Sequence, residues 1–199
     1  MPQQLCVDPF LYIRKIEGQF SVDENARRLL RYRYAEVKMM EMQSGWIATM
    51  PSEKVKLGLG VNCYDCATHA DALGERLPEL RRSAPDAMES PHEAFTRLVG
   101  ELGDQEDMLL RMVGLHRVLK PHLLVVYYQH IAITDHVLDM PTVRMLRRIV
   151  DDETRHVLWG WSAIEELAGA PRQRREMAAW QGHLEELLVE AGGITGDCW

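Results

Sequence analysis

Two proline breaks constrain this chain more than any other feature: Met50-Pro51 and Met140-Pro141 each interrupt a long run of helical periodicity and leave only a short connection. Long helices joined by short loops become antiparallel neighbours. The expected architecture is therefore all-α, with two helical hairpins packed together and a fifth helix at the C-terminal end. Ser21 with Glu24 three residues later reads as a capping box opening the first helix, which runs to about Ala48. A second helix starts between Ser52 and Asn62 and continues through Leu80 to about Arg82. The alternation over Lys54 to Val61 would suit a strand, but a lone strand has nothing to pair with, and a glycine-loosened helix start is preferred. Ser90-Pro91 reads as an N-cap and first helical position for a third segment. Gly103-Asp104 interrupts that segment and Pro121 kinks it. Pro141 starts a fourth helix reaching about Ala168, and a last one follows Ala170-Pro171 and ends near Gly192-Gly193. The chain thus reads as a single domain over 1–199, with a core over 21–168, an irregular arm over 1–20 and a C-terminal helix over 171–192.

Composition narrows the function. Apolar residues make up 46% and charged residues 27% of 199 residues, which suits a packed globule. A formal net charge of −7 and the absence of a long basic block argue against a general nucleic-acid binder. Arg144, Arg147 and Arg148 read as a solvated helix face before they read as an anion site. The start Met1-Pro2-Gln3-Gln4 does not resemble a signal peptide, and the apolar stretch Leu123 to Tyr128 is too short to cross a bilayer. Four cysteines do not make a disulfide framework in a chain this long. The expectation is a cytoplasmic protein with reduced thiols, acting on a small molecule, with no nucleic-acid or membrane partner and a homodimer as the favoured assembly.

The fourth helix carries the strongest chemical signal. Its apolar stripe reads Leu146, Ile149, Glu153, His156, Gly160, Ile164, Leu167, so an acid and a histidine sit in the middle of a buried face. Burying a carboxylate costs several kcal/mol, about 3 or more, unless a cation or donors compensate it. Glu at i and His at i+3 share one side of a helix and could bind one metal ion. The spacing is common by chance, and a hydrogen-bonded Glu–His pair is the plain alternative. The first hairpin adds weight. Leu29, Tyr32, Glu36, Met39 and Gln43 share a face of helix one, and Cys63, Cys66, His69, Leu73 and Leu77 share a face of helix two. Folding about Met50-Pro51 sets Glu36 opposite residues 66 to 69. Folding about Met140 sets Glu153 and His156 opposite residues 123 to 130, where His130, Gln129 and His122 are the candidates.

This arrangement resembles the ferritin-like superfamily of four-helix metal carboxylate proteins over about residues 21–168. The family pattern is Glu on the first helix, Glu-x-x-His on the second, Glu on the third and Glu-x-x-His on the fourth. By position, Glu36 matches the first, His69 the second histidine, and Glu153 with His156 the last motif. Cys66 stands where the second helix would carry Glu, with Asp65 about 100° round the helix. The third helix has no interior acid, only His122, Gln129, His130 and, near its end, Asp135 and Asp139. The resemblance implies a ferritin-like antiparallel four-helix bundle holding one or two iron ions, with zinc, manganese or no metal as alternatives. It also implies a non-haem iron oxidase or oxygenase acting on a small molecule. Metal candidates are Glu36, Cys66, His69, His130, Glu153 and His156, and catalytic candidates are Glu153, His156 and Tyr127.

Other residues admit plainer roles. Cys63-Tyr64-Asp65-Cys66 with His69 could bind a soft ion such as zinc, while small hydrophobes filling a tight helix contact are the simpler reading. Met39, Met40 and Met42 read as adaptable core filling. Tyr127 and Tyr128 lie near the site, where a tyrosine could relay an electron, although an ordinary core tyrosine is the commoner case. Trp159 and Trp161 should pack helix four against its neighbours, and His136 should lie near solvent. Two further functions compete with the oxidase: a metal-free ferritin-like pseudoenzyme or ligand-binding protein using Glu153 or His156 in proton transfer, and an iron-handling protein, which the acid-poor third helix disfavours.

Overall fold

Most of the helices start where a side chain can satisfy a free backbone donor. In the computed structural model, which describes residues 20–83 and 92–197, α1 spans Val22–Thr49 and the Ser21 hydroxyl accepts from the Glu24 amide at 3.1 Å. Half of the expected capping box is present; the Glu24 carboxylate turns instead to Arg27 and Arg28. Ser52 caps α2 (Glu53–Arg76) and Asp107 caps α4 (Met108–Val113). Asp139 caps α6 (Met140–Leu167), with Pro141 in its first turn. The helix α3 spans Glu93–Asp104 and is capped by the His92 ring; Ser90 and Pro91, expected to open this segment, and the arm over 1–19 lie outside the described residues. The helix α7 covers Pro171–Glu190, where the Gln173 side chain accepts from the Ala170 amide at 2.8 Å.

The expected interruption at Gly103-Asp104 is present, since α3 ends at Asp104. The second helix stops earlier than expected. Pro78 has no N–H to continue it, and Pro78–Leu80 forms a single 3₁₀ turn. Nothing in α2 is extended, and no strand occurs among the described residues. The third rod differs most from expectation. After α4 it widens into a π-helical turn over Gly114–Leu119, in which the Lys120 amide donates to the Leu115 carbonyl five residues back, before α5 (Lys120–Ile133) resumes. The wide turn sits directly before Pro121 and adds a residue to the rod, which shifts the face that follows.

Cross-helix contacts give the directions of packing. Met40 meets Cys63, Glu36 meets His69 and Arg33 meets Gly74, so α1 and α2 run antiparallel. Asp65 meets His156, His69 meets Asp152 and Arg76 meets Thr142, which makes α2 and α6 antiparallel as well. Lys120 meets Glu153 and His116 meets Trp161, while Tyr127 meets Glu36 and His130 meets Tyr32, so the third rod lies antiparallel to both α6 and α1. Leu29, Tyr32, Leu73, Leu119, Leu123, Leu146 and Ile149 fill the shared interior, while α7 closes over α3 and the π-turn. Among the described residues no helix is long and apolar enough to cross a membrane.

Glycines set two of these contacts. A Cβ at Gly58 would run into the Trp159 indole, whereas one at Gly60 would meet nothing. Both positions lie within α2, so they form a matched pair. Gly58→Ala should destabilise the fold by about 1–3 kcal/mol through overpacking, while Gly60→Ala should stabilise it by up to about 1 kcal/mol. Urea unfolding of the two variants checks this; equal effects would mean that Trp159 does not press on α2.

Candidate metal and proton centre

A lysine lies at the centre of the interior. Lys120 is 0% exposed, and its Nζ lies 2.6 Å from Glu153 Oε1, 3.3 Å from His156 Nδ1 and 3.5 Å from Cys66 Sγ. Four rods converge there. From α1, Glu36 accepts a hydrogen bond from the Tyr127 hydroxyl at 2.8 Å. From α2 come Cys66 and His69, whose Nδ1 faces Glu36 at 3.5 Å and Glu153 at 3.8 Å. From α6 come Glu153 and His156, 3.0 Å apart. From α5 come Lys120, its first residue after the π-turn, and Tyr127. Glu36, Cys66 and Glu153 present ligand atoms within 4.8 Å of one another, a buried cluster that could bind a metal ion.

Two half-buried aspartates close the centre on the outside. Asp65 Oδ2 lies 2.9 Å from His156 Nε2, and Asp152 Oδ2 lies 3.2 Å from His69 Nε2. Each histidine thus bridges a buried carboxylate and a more exposed one. Such carboxylate–imidazole pairs fix ring orientation.

Burial and charge oppose each other throughout the centre. Burial would lower the affinity of His69 for its proton, but the carboxylates of Glu36, Glu153 and Asp152 around it prevail and lift it to about 9. Burial would raise Glu153, but Lys120 and His156 bring it down to about 2. Burial pushes the Cys66 thiol well up despite Lys120, so it is a thiol rather than a thiolate at neutral pH. The Lys120 ammonium is itself raised: burial opposes its charge, and the carboxylates of Glu153 and Glu36 outweigh that. Of the centre's carboxylate and imidazole atoms, Glu36 Oε2, Glu153 Oε2 and His69 Nδ1 have no hydrogen-bond partner among the described residues.

Five of the six metal-ligand candidates, Glu36, Cys66, His69, Glu153 and His156, therefore meet, together with Tyr127. His130 does not join them. Its Nδ1 faces Tyr32 Oη and its Nε2 faces Asn25 Oδ1, both at 3.1 Å, and burial, assisted by Arg28, holds it down at about 3. His122 accepts from the Ile194 amide, Asp139 pairs with Arg76, and Tyr128 is exposed. Cys63 turns toward the Met40 carbonyl, which separates the Cys-x-x-Cys pair. Sequence reasoning missed Lys120 and Asp152, and it set Asp65 aside. Lys120 precedes Leu123 by three, but a lysine at that position reads as part of a solvated face.

Comparison with protein-family models, with curated proteins and with solved structures finds no match to this chain.

Two outcomes follow from the geometry. Lys120→Met leaves Glu153 buried without its cation and should cost about 3–5 kcal/mol, read by urea unfolding at neutral pH; pairing it with Glu153→Gln should recover part of the loss. His69 binds its proton more tightly folded than unfolded, so its stabilisation is complete below its ordinary value of 6.5 and is lost as pH rises through about 9. Chelator-treated protein should therefore lose stability between those values, and His69→Gln should lose less over the same window. Parallel curves for the two proteins would contradict the assignment.

Proposed function

We propose that this protein is a ferritin-like four-helix bundle with one metal position beside a permanent lysine cation, and that it is a non-haem metal oxidoreductase acting on a small molecule. What supports the bundle reading is the set of pairwise antiparallel contacts among α1, α2, α5 and α6, with residues 77–107 forming the long connection between two hairpins. What carries the metal reading is the orphaned pair of buried carboxylate oxygens, Glu36 Oε2 and Glu153 Oε2, beside the Cys66 thiol. Buried carboxylates need compensating cations or donors.

A resident pair of ions does not fit this donor set. One face of Glu153 is already taken by the Lys120 ammonium, and the third rod contributes no carboxylate. A single ion fits, held by Glu36, Glu153 and Cys66, with His69 and His156 alongside. Bound there, iron would supply dioxygen activation; zinc would supply Lewis acidity only. The chain's own residues do the rest. Tyr127 fixes Glu36 through one oxygen and leaves the other free. It also sets an oxidisable phenol one hydrogen bond from the centre. His69 and Asp152 form a proton route between the interior and the surface. Admitting the ion requires the Cys66 thiol and the His69 imidazolium to give up a proton each.

A second reading rests on the 2.6 Å Lys120–Glu153 pair. Glu36 and Glu153 are balanced by Lys120 and protonated His69 without any ion. On that reading the bundle is a metal-free pocket in which His156 or Glu153 handles protons.

Anaerobic titration of chelator-treated protein with ferrous iron, manganese and zinc separates the two. The metal reading expects a single ion per chain, tighter at higher pH and lost in both Glu36→Gln and Cys66→Ala. Failure of all three metals to bind while the protein stays folded would leave the metal-free reading.

A further inference from the structure

The centre opens toward the surface on one side, and that side is built for a particular kind of ligand. A groove of about 520 Å³ runs between α2 and the first half of α6. A volume of this size suits a small molecule. His69 and Asp152 form its inner end. His69 is 4% exposed and faces Glu36 and Glu153 with its other ring nitrogen, so the groove reaches the buried carboxylates through one imidazole. Ala72, Met145 and Ile149 give the groove an apolar wall.

The charges along the groove are unequal once existing partners are subtracted. Arg76 is held by Asp139, Glu79 and Thr142, and Asp152 by His69 and Arg155. Three charged side chains remain with no ion pair among the described residues: Arg144 and Arg148 on α6, and Glu75 on α2. Arg144 and Arg148 are one helical turn apart on the same face, so the uncommitted charge is positive. A guanidinium pair at this spacing suits a planar oxyanion. Arg148 lies four residues and Arg144 eight residues along α6 from Asp152, which is about 6 and about 12 Å along the axis. A ring or short chain fills that distance.

We infer that the groove between α2 and α6 binds a small organic carboxylate, with its acid group on Arg144 and Arg148, its apolar body on Met145 and Ile149, and its far end at His69. The inference rests on the proposed function for its view of His69 as the entrance, and it adds the substrate class.

The test uses chelator-treated full-length protein, so its result does not depend on metal uptake. Benzoate and hexanoate are titrated by calorimetry or by ligand-observed NMR, with benzyl alcohol and inorganic phosphate as the uncharged and body-less counterparts. Both acids should bind in the millimolar range or tighter, more weakly as salt is added. The alcohol and phosphate should bind at least about tenfold more weakly. Arg144→Ala with Arg148→Ala should weaken acid binding at least about tenfold while leaving that of the alcohol unchanged; both positions are exposed, so the fold should survive. Ala72→Phe, which fills the groove, should abolish binding of the acids. Equal binding of acid and alcohol, or indifference to the arginine changes, overturns the inference. If metal uptake is normal and the acids still fail to bind, this inference falls and the metal reading stands; the converse result removes the metal reading alone.

Discussion

A buried ammonium sets the terms for everything around it. Lys120 has no access to water, so its donors must be met by the protein: Glu153 and Cys66 accept from it, and His156 Nδ1 lies 3.3 Å away. A lone charge at this depth would cost several kcal/mol, of the order of 3–5. That fixes the register of α5 against α6: sliding either rod by one turn would part Lys120 from Glu153. The π-turn before Pro121 brings the lysine onto the inner face, and Gly160 makes room beside it for the buried His116 ring. His116 stays neutral there, because burial and the Lys120 charge both hold it well below its ordinary value.

From this centre a line of polar side chains continues through the interior toward the far end of α1. Glu36 holds Tyr127, whose ring lies edge-on to Tyr32 at 4.9 Å. Tyr32 faces His130, which faces Asn25, and Asn25 donates to Asp139, which pairs with Arg76. Because Asn25 spends its amide N–H on Asp139, its carbonyl accepts from His130 Nε2–H, leaving Nδ1 to accept from Tyr32. A neutral imidazole has one donor and one acceptor, which is what this position requires. The same residue that looked like a ligand on periodicity is thereby a structural link, joining α5 to α1 and the cap of α6.

The helical periodicity told which faces turn inward but not what stands opposite them. Glu36, His69, Glu153 and His156 were legible because each interrupts an apolar stripe, and two short connections fixed how the stripes meet. Lys120 was not, because lysine ordinarily marks a solvated face and the extra residue of the π-turn has no clear signature in a run such as Gly-Leu-His-Arg-Val-Leu. Asp65 was set aside because it lies round the helix from Cys66. It nevertheless reaches His156, since a residue at the rim of one helix contacts the partner helix across the seam. His130 was correctly read as inward-facing, yet pairing with Tyr32 and Asn25 depends on α1, which a stripe on α5 cannot report. Pro78 carried an ordinary helix-stop signal that a continuing apolar stripe through Leu80 concealed.

The lysine and the cysteine of the centre belong together. A carboxylate at position 66 would face Glu36 and Glu153 with only Lys120 and His69 to offset three negative charges, and such a centre would need a metal ion to be neutral. A thiol avoids that excess. While the interior is free of an ion, burial keeps Cys66 protonated and uncharged, and two cations balance two carboxylates. If a divalent cation enters, the thiol can supply the third negative charge as His69 releases its proton, and the sum is again zero. Lysine in the position of one cation and cysteine in the position of one acid therefore let the same interior stay neutral in either state. A centre of four carboxylates lacks that property, because its acids repel one another until metal arrives. Neutrality in both states is what the lysine and the cysteine supply together.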